Sequence, residues 1–210
     1  MIDLPPDCQQ ALNSPLMQQI YQVESSFNPF AIGVVGGHLV RQPKKLDEAV
    51  ATANYLASIG RNFSIGQGQV NKIHFDRLGW STDISAGFDV CLNVQAAFDI
   101  YMDCYNRAKT AGFPVEGDYN ATHAALSCYY SGSFRAAKSN PDVSRYVNKV
   151  LNTTPINKNI TSNNTSLVIP LANAKSSSTQ VRVKALATPK KPLQAQNDWV
   201  AQGTSIIKFD

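Results

Sequence analysis

The segment SPLMQQIYQVESSFNP, residues 14–29, combines clear helix signals with a glutamate near the end of the predicted helix. Ser14 is a favourable helix N-cap, and Pro15 fits the first helical position, where its missing N–H costs nothing. Three apolar residues then recur at helical spacing and form one face: Leu16, Ile20 and Val23. Glu24 follows at the border of that face. The pattern predicts a first helix that begins near Ser14 and ends on a partly buried glutamate.

Four more segments have helical periodicity. The second helix is predicted over residues 46–60, with Asp47 and Glu48 in its first turn and Gly60 as its stop. Its predicted buried residues are Leu46, Ala49, Val50, Ala53, Leu56 and Ala57. The third and fourth helices are predicted over residues 93–109 and 121–130. Asn140 and Pro141 begin the fifth helix, which is predicted to bury Val143, Tyr146, Val147 and Val150.

Strand patterns are scarce. Only VRVKAL, residues 181–186, alternates with a period of two. The glycine-rich segment RNFSIGQGQVNK, residues 61–72, is predicted to be a loop or a short irregular hairpin at the surface of a cleft. The chain is therefore predicted to be mainly α.

Composition divides the chain into residues 1–150 and residues 151–210. Acidic and basic residues nearly balance in the first part, so the formal net charge of +4 comes from the second. That second part is rich in Asn, Ser, Thr, Lys and Pro, and such a composition buries too little apolar surface to offset the entropy of ordering. We predict one domain followed by a flexible basic tail. The dispersed lysines lack interleaved aromatic residues, so no nucleic-acid partner is expected.

Four cysteines all fall within the predicted domain: Cys8, Cys91, Cys104 and Cys128. An even number without metal-type spacing favours two disulfides in an oxidising compartment, with three possible pairings. Free buried cysteines in a cytosolic protein are the alternative. A zinc site from His123, Cys104 and Cys128 would compete with the disulfides, so no metal and no cofactor are expected.

The sequence contains no apolar run of the roughly 20 residues that a membrane helix needs. Its first residues, MIDLPPDCQQ, also lack the basic and apolar pattern of a signal peptide. No membrane span is expected, and a location outside the cytoplasm implies either that a signal peptide has been removed or that the start site is misassigned.

Only three glutamates are candidates for a general acid. Glu48 and Glu116 are predicted to be solvated, in a first helical turn and in the turn FPVEGDY. Glu24 borders an apolar face, where burial raises a carboxyl pKa toward the range useful for proton transfer near neutral pH. A helix-end glutamate that pairs with a lysine is the alternative.

The run Gly66 to Gln69 lacks the lysine of a phosphate-binding loop. It suits a loop whose backbone approaches a polar polymer, with Gln69 and Asn71 as amide donors and acceptors. A plain turn is the alternative interpretation.

Three ordered segments, VESSFNP, SIGQGQVN and ALSCYYSG, resemble the motifs of the goose-type-lysozyme-like lytic transglycosylases. The text between them, including AIGVVGGHLVRQP and CLNVQAAFDIYMDCY, resembles the peptidoglycan-cleaving subunit of type IV secretion and conjugation systems. The resemblance covers residues 8–150. It implies a lysozyme-like fold, the periplasm of a Gram-negative bacterium, and peptidoglycan strands and other secretion subunits as partners, the latter through the tail. By default we expect a monomer.

The resemblance also implies roles for individual residues. Glu24 matches the catalytic glutamate, and Tyr129 matches the tyrosine that hydrogen-bonds it. The remaining matched positions are predicted to contact substrate: Ser25, Gly66, Gln69, Asn71 and Tyr130. Gln67, Tyr130 and Ser131 depart from the family pattern, where an apolar residue, asparagine and alanine are usual.

The implied reaction cleaves the bond between N-acetylmuramic acid and N-acetylglucosamine with one carboxylate and forms an anhydro ring. An ordinary glycosidase needs two carboxylates. The resemblance leaves two alternatives open: a lysozyme-type hydrolase that uses water, and a non-catalytic module that docks on glycan.

Overall fold

A computed structural model describes residues 4–156 and 207–209 of the chain. The helices are α1 (Pro6–Asn13), α2 (Pro15–Ser25), α3 (Leu46–Ser58), α4 (Phe75–Leu78), α5 (Val90–Thr110), α6 (Ala121–Ser131), α7 (Ala136–Ser139) and α8 (Pro141–Leu151). Short 3₁₀ turns cover Lys72–His74 and Ile84–Phe88. The mainly helical prediction is confirmed, while residues 157–206, which include VRVKAL, lie outside the described part.

The N-terminal helices form a pair around Ser14. The Ser14 hydroxyl accepts a hydrogen bond from the Met17 N–H at 3.5 Å, so the predicted cap of α2 is confirmed. The prediction that this is the first helix is wrong, because α1 precedes it. Only Ser14 separates the two helices, and α1 is too short for its periodicity to be recognised.

Helix α5 is the longest element and packs against α1 and α6. It begins at Val90, earlier than predicted, because the Asp89 carboxylate caps it by accepting from the Leu92 N–H at 2.9 Å. Helix α8 packs against α2, α6 and α7. Its four predicted core residues are all buried, as expected: Val143, Tyr146, Val147 and Val150.

Helix α3 begins where predicted, but not every residue predicted to be buried there is buried. Ala49, Ala53 and Leu56 are buried, whereas Leu46 at the first position is 45% exposed. The prediction of a buried Leu46 is wrong because the first turn extends past the core.

Two small sheets accompany the helices in the described residues, and of the larger one the sequence predicted only a short hairpin, as an alternative to a loop. Strands β1 (Ile32–Val34), β3 (Phe63–Ile65) and β4 (Val70–Asn71) form an antiparallel sheet in the order β1-β3-β4. Strand β2 (Gly37–Leu39) pairs antiparallel with β5 (Ile207–Phe209), with His38 opposite Lys208. Strands β1, β3 and β4 have two or three residues each, too few for the alternation of a strand to be visible in the sequence. The predicted irregular hairpin in residues 61–72 is the β3–β4 hairpin.

Both predicted disulfides are present. Cys8–Cys91 joins α1 to the start of α5, and Cys104–Cys128 joins α5 to α6. The sequence left three pairings open, and the fold selects one of them. Each bond links helices that already pack together. In the described residues, no helix is long and apolar enough to cross a membrane.

The two disulfides should differ in their contribution to stability because they close loops of different length. The bonds span 83 and 24 residues. We expect Cys8→Ser/Cys91→Ser to lose about 4.5 kcal/mol of unfolding free energy and Cys104→Ser/Cys128→Ser about 3.5 kcal/mol. Urea unfolding of both oxidised double variants measures this. The reverse order of losses would contradict the chain-entropy explanation.

Candidate active site

Glu24 occupies the last turn of α2. The helix ends directly after it because Ser26 and Phe27 both adopt positive φ, at 53° and 62°. The N–H groups of these two residues donate to the carbonyls of Gln22 and Tyr21 at 3.2 and 3.3 Å, and so close the helix. Left-handed backbone is unfavourable for serine and phenylalanine, and such strain is often found at functional sites.

Glu24 is half-buried, and its carboxylate lies beside α8. The Tyr146 hydroxyl donates a 2.7 Å hydrogen bond to Glu24 Oε1. Burial raises the pKa of Glu24 to about 7, against smaller opposing effects of the Tyr146 hydrogen bond and the Lys149 charge. The negative end of the α2 dipole acts in the same direction as burial. Within the described residues, no other carboxylate is among the groups that shift this pKa.

The raised pKa predicts that Glu24 destabilises the fold at neutral and alkaline pH. Below pH 4.5 the carboxyl is protonated in both folded and unfolded chains, and its ionisation costs nothing. Between pH 4.5 and about 7 the unfolded chain releases the proton first, so stability falls as pH rises. We expect Glu24→Gln to be about 3 kcal/mol more stable than wild type at pH ~8 and equally stable at pH ~4. Urea unfolding at both pH values tests this, and a pH-independent difference would contradict it.

Tyr129 does not hydrogen-bond Glu24, so this implication of the resemblance is wrong for this chain. Its hydroxyl donates to the Gly68 carbonyl at 2.6 Å. Tyr129 is still close enough to Glu24 for the carboxylate to contribute to the raised pKa of the phenol, after burial. The hydroxyl that holds Glu24 belongs to Tyr146, 122 residues along the chain.

Helical spacing predicted that Tyr146 is buried, but nothing in the sequence assigned a role to its hydroxyl. A signal was available, because a buried tyrosine hydroxyl usually finds a hydrogen-bond partner. Burial, followed by the charge of Glu24, raises the pKa of Tyr146 well above its usual value. The hydroxyl therefore stays protonated throughout the neutral range and acts as a hydrogen-bond donor to Glu24.

Asn93 fixes the glycine-rich loop Gly66–Gln69 and was also missed. Its side-chain amide donates to the Ile65 carbonyl at 3.0 Å and to the Gly87 carbonyl at 2.8 Å. Its Oδ1 accepts from the Gly68 N–H at 2.7 Å. Asn93 is 1% exposed, and a buried polar side chain needs such partners. A polar residue adjacent to the apolar positions of α5 was the sequence signal that could have identified Asn93.

Two glycines let the loop approach α5 closely. Gly66 has a φ of +76°, and a Cβ there would lie 2.1 Å from Nδ2 of Asn93. A Cβ at Gly68 would lie 2.4 Å from the Cβ of Ala97. Larger residues at either position would displace the loop. Gly66, predicted to contact substrate, therefore has a structural reason to be glycine.

Ser25 ties the loop to α2. Its hydroxyl donates to the Gln67 carbonyl at 2.8 Å and lies 3.3 Å from the Tyr21 carbonyl. Gln67, which departs from the family pattern, is itself only 5% exposed. The structure therefore gives Ser25 a role in connecting the loop to the helix that carries Glu24.

Gln69 and Asn71 both make internal hydrogen bonds. The Gln69 amide donates to the carbonyls of Ala31 and Gly66 at 3.1 and 2.9 Å. The Asn71 amide donates to the Ser64 hydroxyl at 3.1 Å, and its Oδ1 caps the following 3₁₀ turn. Both side chains are half-buried at the loop and its strand β4. Their predicted substrate contacts stay predictions.

Tyr130 lies next to the Glu24–Tyr146 pair. Its ring stacks on the Tyr146 ring with centroids 4.4 Å apart and an angle of 22° between the planes. The residue is 50% exposed. Tyr146 therefore contacts Glu24 through its hydroxyl and Tyr130 through a face of its ring.

The other two glutamates are outside this arrangement. Glu116 is exposed, as predicted. Glu48 is not solvated as predicted, because its side chain is 11% exposed, pairs with Arg41 and accepts from the Lys44 N–H at 3.0 Å. The Arg41 hydrogen bond lowers its pKa, and Glu48 is a structural anion. Across residues 4–156, no group of three potential metal ligands is present.

Comparison with known proteins relates this geometry to a family. The model of the transglycosylase SLT domain matches residues 6–145. The type IV secretion system protein virB1 of Brucella abortus (strain 9-941), Brucella melitensis biotype 1 and Brucella suis biovar 1 is similar to the chain. Each is 44% identical over 145 residues, which are 69% of this chain and 59% of the relative. The matched region thus spans less than two thirds of these relatives. No solved structure gives a significant match.

Proposed function

Because the chain belongs to the transglycosylase SLT domain family, we propose that it is a lytic transglycosylase of peptidoglycan. It cleaves the β-1,4 bond between N-acetylmuramic acid and N-acetylglucosamine and leaves a 1,6-anhydromuramic acid end. One observation carries the proposal: a half-buried glutamate with a pKa of about 7, hydrogen-bonded by a tyrosine beside a half-exposed aromatic ring.

The first step uses the protonated form of Glu24. The carboxyl gives its proton to the glycosidic oxygen, the C1–O bond breaks, and the N-acetylglucosamine hydroxyl leaves. The acetamido oxygen of the muramic acid stabilises the positive charge that develops at C1. A pKa of about 7 keeps a large fraction of Glu24 protonated at neutral pH.

The second step uses the anion that the first step leaves. Glu24 takes the proton from the muramyl C6 hydroxyl, and the C6 oxygen bonds to C1 as the acetamido oxygen departs. The carboxyl is then protonated again, and no water is consumed. A pKa near neutrality suits a group that alternates between acid and base. No second carboxylate is required, in contrast to ordinary glycosidases.

The loop Gly66–Gln69 forms one wall of the proposed glycan site. The Tyr129 hydroxyl donates a hydrogen bond to the Gly68 carbonyl of this loop, and the Ser25 hydroxyl donates one to the Gln67 carbonyl. We propose that Gln69 and Asn71 contact the glycan from this wall. In this account Tyr129 and Ser25 are positioning residues that connect the loop to the acid.

Tyr146→Phe should slow the reaction and move its pH dependence. The hydroxyl stabilises the Glu24 carboxylate, so its loss raises the pKa of Glu24 above about 7 and shifts the alkaline fall of kcat/KM to higher pH. We expect kcat to drop about tenfold because the carboxyl is less well oriented. Rates of product release measured across the pH range test both effects.

Tyr119→Phe is the matched control. It removes a hydroxyl that donates to the Phe134 carbonyl at 2.6 Å, and Tyr119 packs against a separate small core cluster. Its kcat and pH profile should equal those of wild type. A Tyr146→Phe profile that also equals wild type would contradict the role of this hydroxyl.

We also propose a cellular setting from the similarity to the virB1 proteins. The chain acts in the periplasm of a Gram-negative bacterium and opens peptidoglycan locally where a type IV secretion system assembles. The basic residues of the tail, 151–210, contact other subunits of that system. The domain is taken to act as a monomer.

Mass spectrometry of the soluble products tests the proposed function. Purified sacculi incubated with the wild type should release muropeptides that end in anhydromuramic acid. Reducing muramic acid ends, heavier by one water, would identify a lysozyme-type hydrolase. Binding to sacculi without any released product would identify a docking module.

A further inference from the structure

Tyr130 stacks on the tyrosine whose hydroxyl donates a hydrogen bond to the proposed acid, Glu24. Its ring lies nearly parallel to that of Tyr146, which is 6% exposed and donates to Glu24. Tyr130 itself is 50% exposed. One face of its ring is therefore occupied by the residue that holds the acid, and the ring also reaches the surface.

We propose that Tyr130 has two functions: it positions the Tyr146–Glu24 pair, and its exposed ring surface stacks on a pyranose ring of the bound glycan. The proposal rests on the proposed function and deepens it. It assigns the sugar contact to an aromatic ring, where the resembling family usually has an asparagine.

The positioning role follows from what covers Tyr146. The Tyr146 ring must stay fixed for its hydroxyl to keep a 2.7 Å hydrogen bond to Glu24. The Tyr130 ring, 4.4 Å away, occupies the face on which water would otherwise collect. Burial is the main cause of the raised Glu24 pKa, so water admitted there should lower it.

Other groups that face Glu24 are Tyr146 and Lys149 from α8 and Tyr129 from α6. None of them changes when Tyr130 is substituted. A shift in the pH profile of a Tyr130 variant therefore reports on the covering ring.

The sugar contact follows from the exposed part of the ring. A pyranose has C–H groups along its faces, and an aromatic ring offers them a flat apolar surface at low entropic cost. The neighbouring polar loop Gly66–Gln69 is tied to Glu24 through Ser25. A glycan that reaches Glu24 therefore meets a polar wall and an aromatic surface.

Three substitutions separate the two roles. Tyr130→Ala removes both, so KM should rise about tenfold, kcat should fall about tenfold, and the alkaline fall of kcat/KM should move to lower pH. Tyr130→Leu still covers Tyr146 but has no ring, so KM should rise while the pH profile stays in place. Tyr130→Phe keeps the ring and should restore wild-type KM, kcat and pH profile.

The assay uses solubilised peptidoglycan strands, the full chain and detection of anhydro ends. Tyr55→Ala, which removes a tyrosine 43% exposed on α3, is the control and should match wild type. If Tyr130→Ala does not fold, Tyr130→Leu carries the KM test. Unchanged KM in Tyr130→Leu and Tyr130→Ala, with Tyr130→Phe also unchanged, would overturn the sugar contact. An unshifted pH profile in folded Tyr130→Ala would overturn the positioning role.

Failure of the proposed function has a different signature. In that case the wild type forms no anhydro ends, and no Tyr130 variant is compared. If the wild type is active and Tyr130→Ala keeps the wild-type KM, kcat and pH profile, only the proposed roles of Tyr130 are overturned.

Discussion

Glu24→Gln should abolish formation of anhydro ends, with a rate at least about a thousandfold below wild type. The glutamine amide has nearly the shape of the carboxyl, and its oxygen can still accept the Tyr146 hydrogen bond. It can neither give a proton to the glycosidic oxygen nor take one from the C6 hydroxyl. Both proposed steps are lost together, whereas binding to sacculi should be retained. Anhydro ends quantified from equal amounts of the two proteins measure the effect.

Glu116→Gln is the matched control for this substitution. It makes the same chemical change at an exposed glutamate and should leave the rate unchanged. A Glu24→Gln protein that keeps more than about a tenth of wild-type activity would exclude Glu24 as the acid, because a group essential to both steps costs far more than that.

Asn93→Ala should both destabilise the fold and nearly stop the reaction, although Asn93 lies behind the loop and not beside Glu24. The substitution leaves three buried backbone groups without their partner, the carbonyls of Ile65 and Gly87 and the N–H of Gly68. We expect a loss of about 3 kcal/mol in unfolding free energy. Activity should fall about a hundredfold, since a displaced loop misplaces the substrate. Urea unfolding and the rate of anhydro-end formation measure the two effects.

Asn106→Ala is the control on the same helix. Asn106 is exposed on α5, so its truncation should change stability by less than about 0.5 kcal/mol and leave activity intact. An Asn93→Ala protein that is destabilised yet fully active would show that the loop position is not needed for the reaction.

The helices were predictable because their signals are local. Ser14 and Asn140 cap helices where expected, since a short polar side chain followed by proline suits the first turn. The buried face of α8 also follows from spacing alone. Leu46 shows the limit of this reasoning, because periodicity gives the face of a residue but not whether the core extends that far.

The strands and the disulfide pairing depend on contacts between distant segments. Strand β1 pairs with β3 across about thirty residues of chain, with Ile32 opposite Ile65. Segments of three residues carry too little pattern to predict such a pair. The count of four cysteines predicted two bonds, but only the packing of α1 and α6 on α5 determines which sulfurs meet.

The sequence was sufficient to identify the acid of the candidate site, but not the residues that hold the acid and the neighbouring loop in place. The position of Glu24 at the end of an apolar face, together with the family resemblance, was enough to single it out. The partner of its carboxylate was misassigned to Tyr129, because a hydrogen bond from α8 to α2 has no local sequence signature. Asn93 was missed for the same reason, since its three bonds reach loops outside its own helix.

Digestion of sacculi in ¹⁸O-labelled water shows whether Glu24 closes an anhydro ring without water. We expect muramyl products of anhydro mass that contain no ¹⁸O, because the C6 oxygen of the same sugar replaces the leaving oxygen at C1. Products heavier by one labelled water molecule, with ¹⁸O at C1, would contradict this expectation and make the protein a hydrolase.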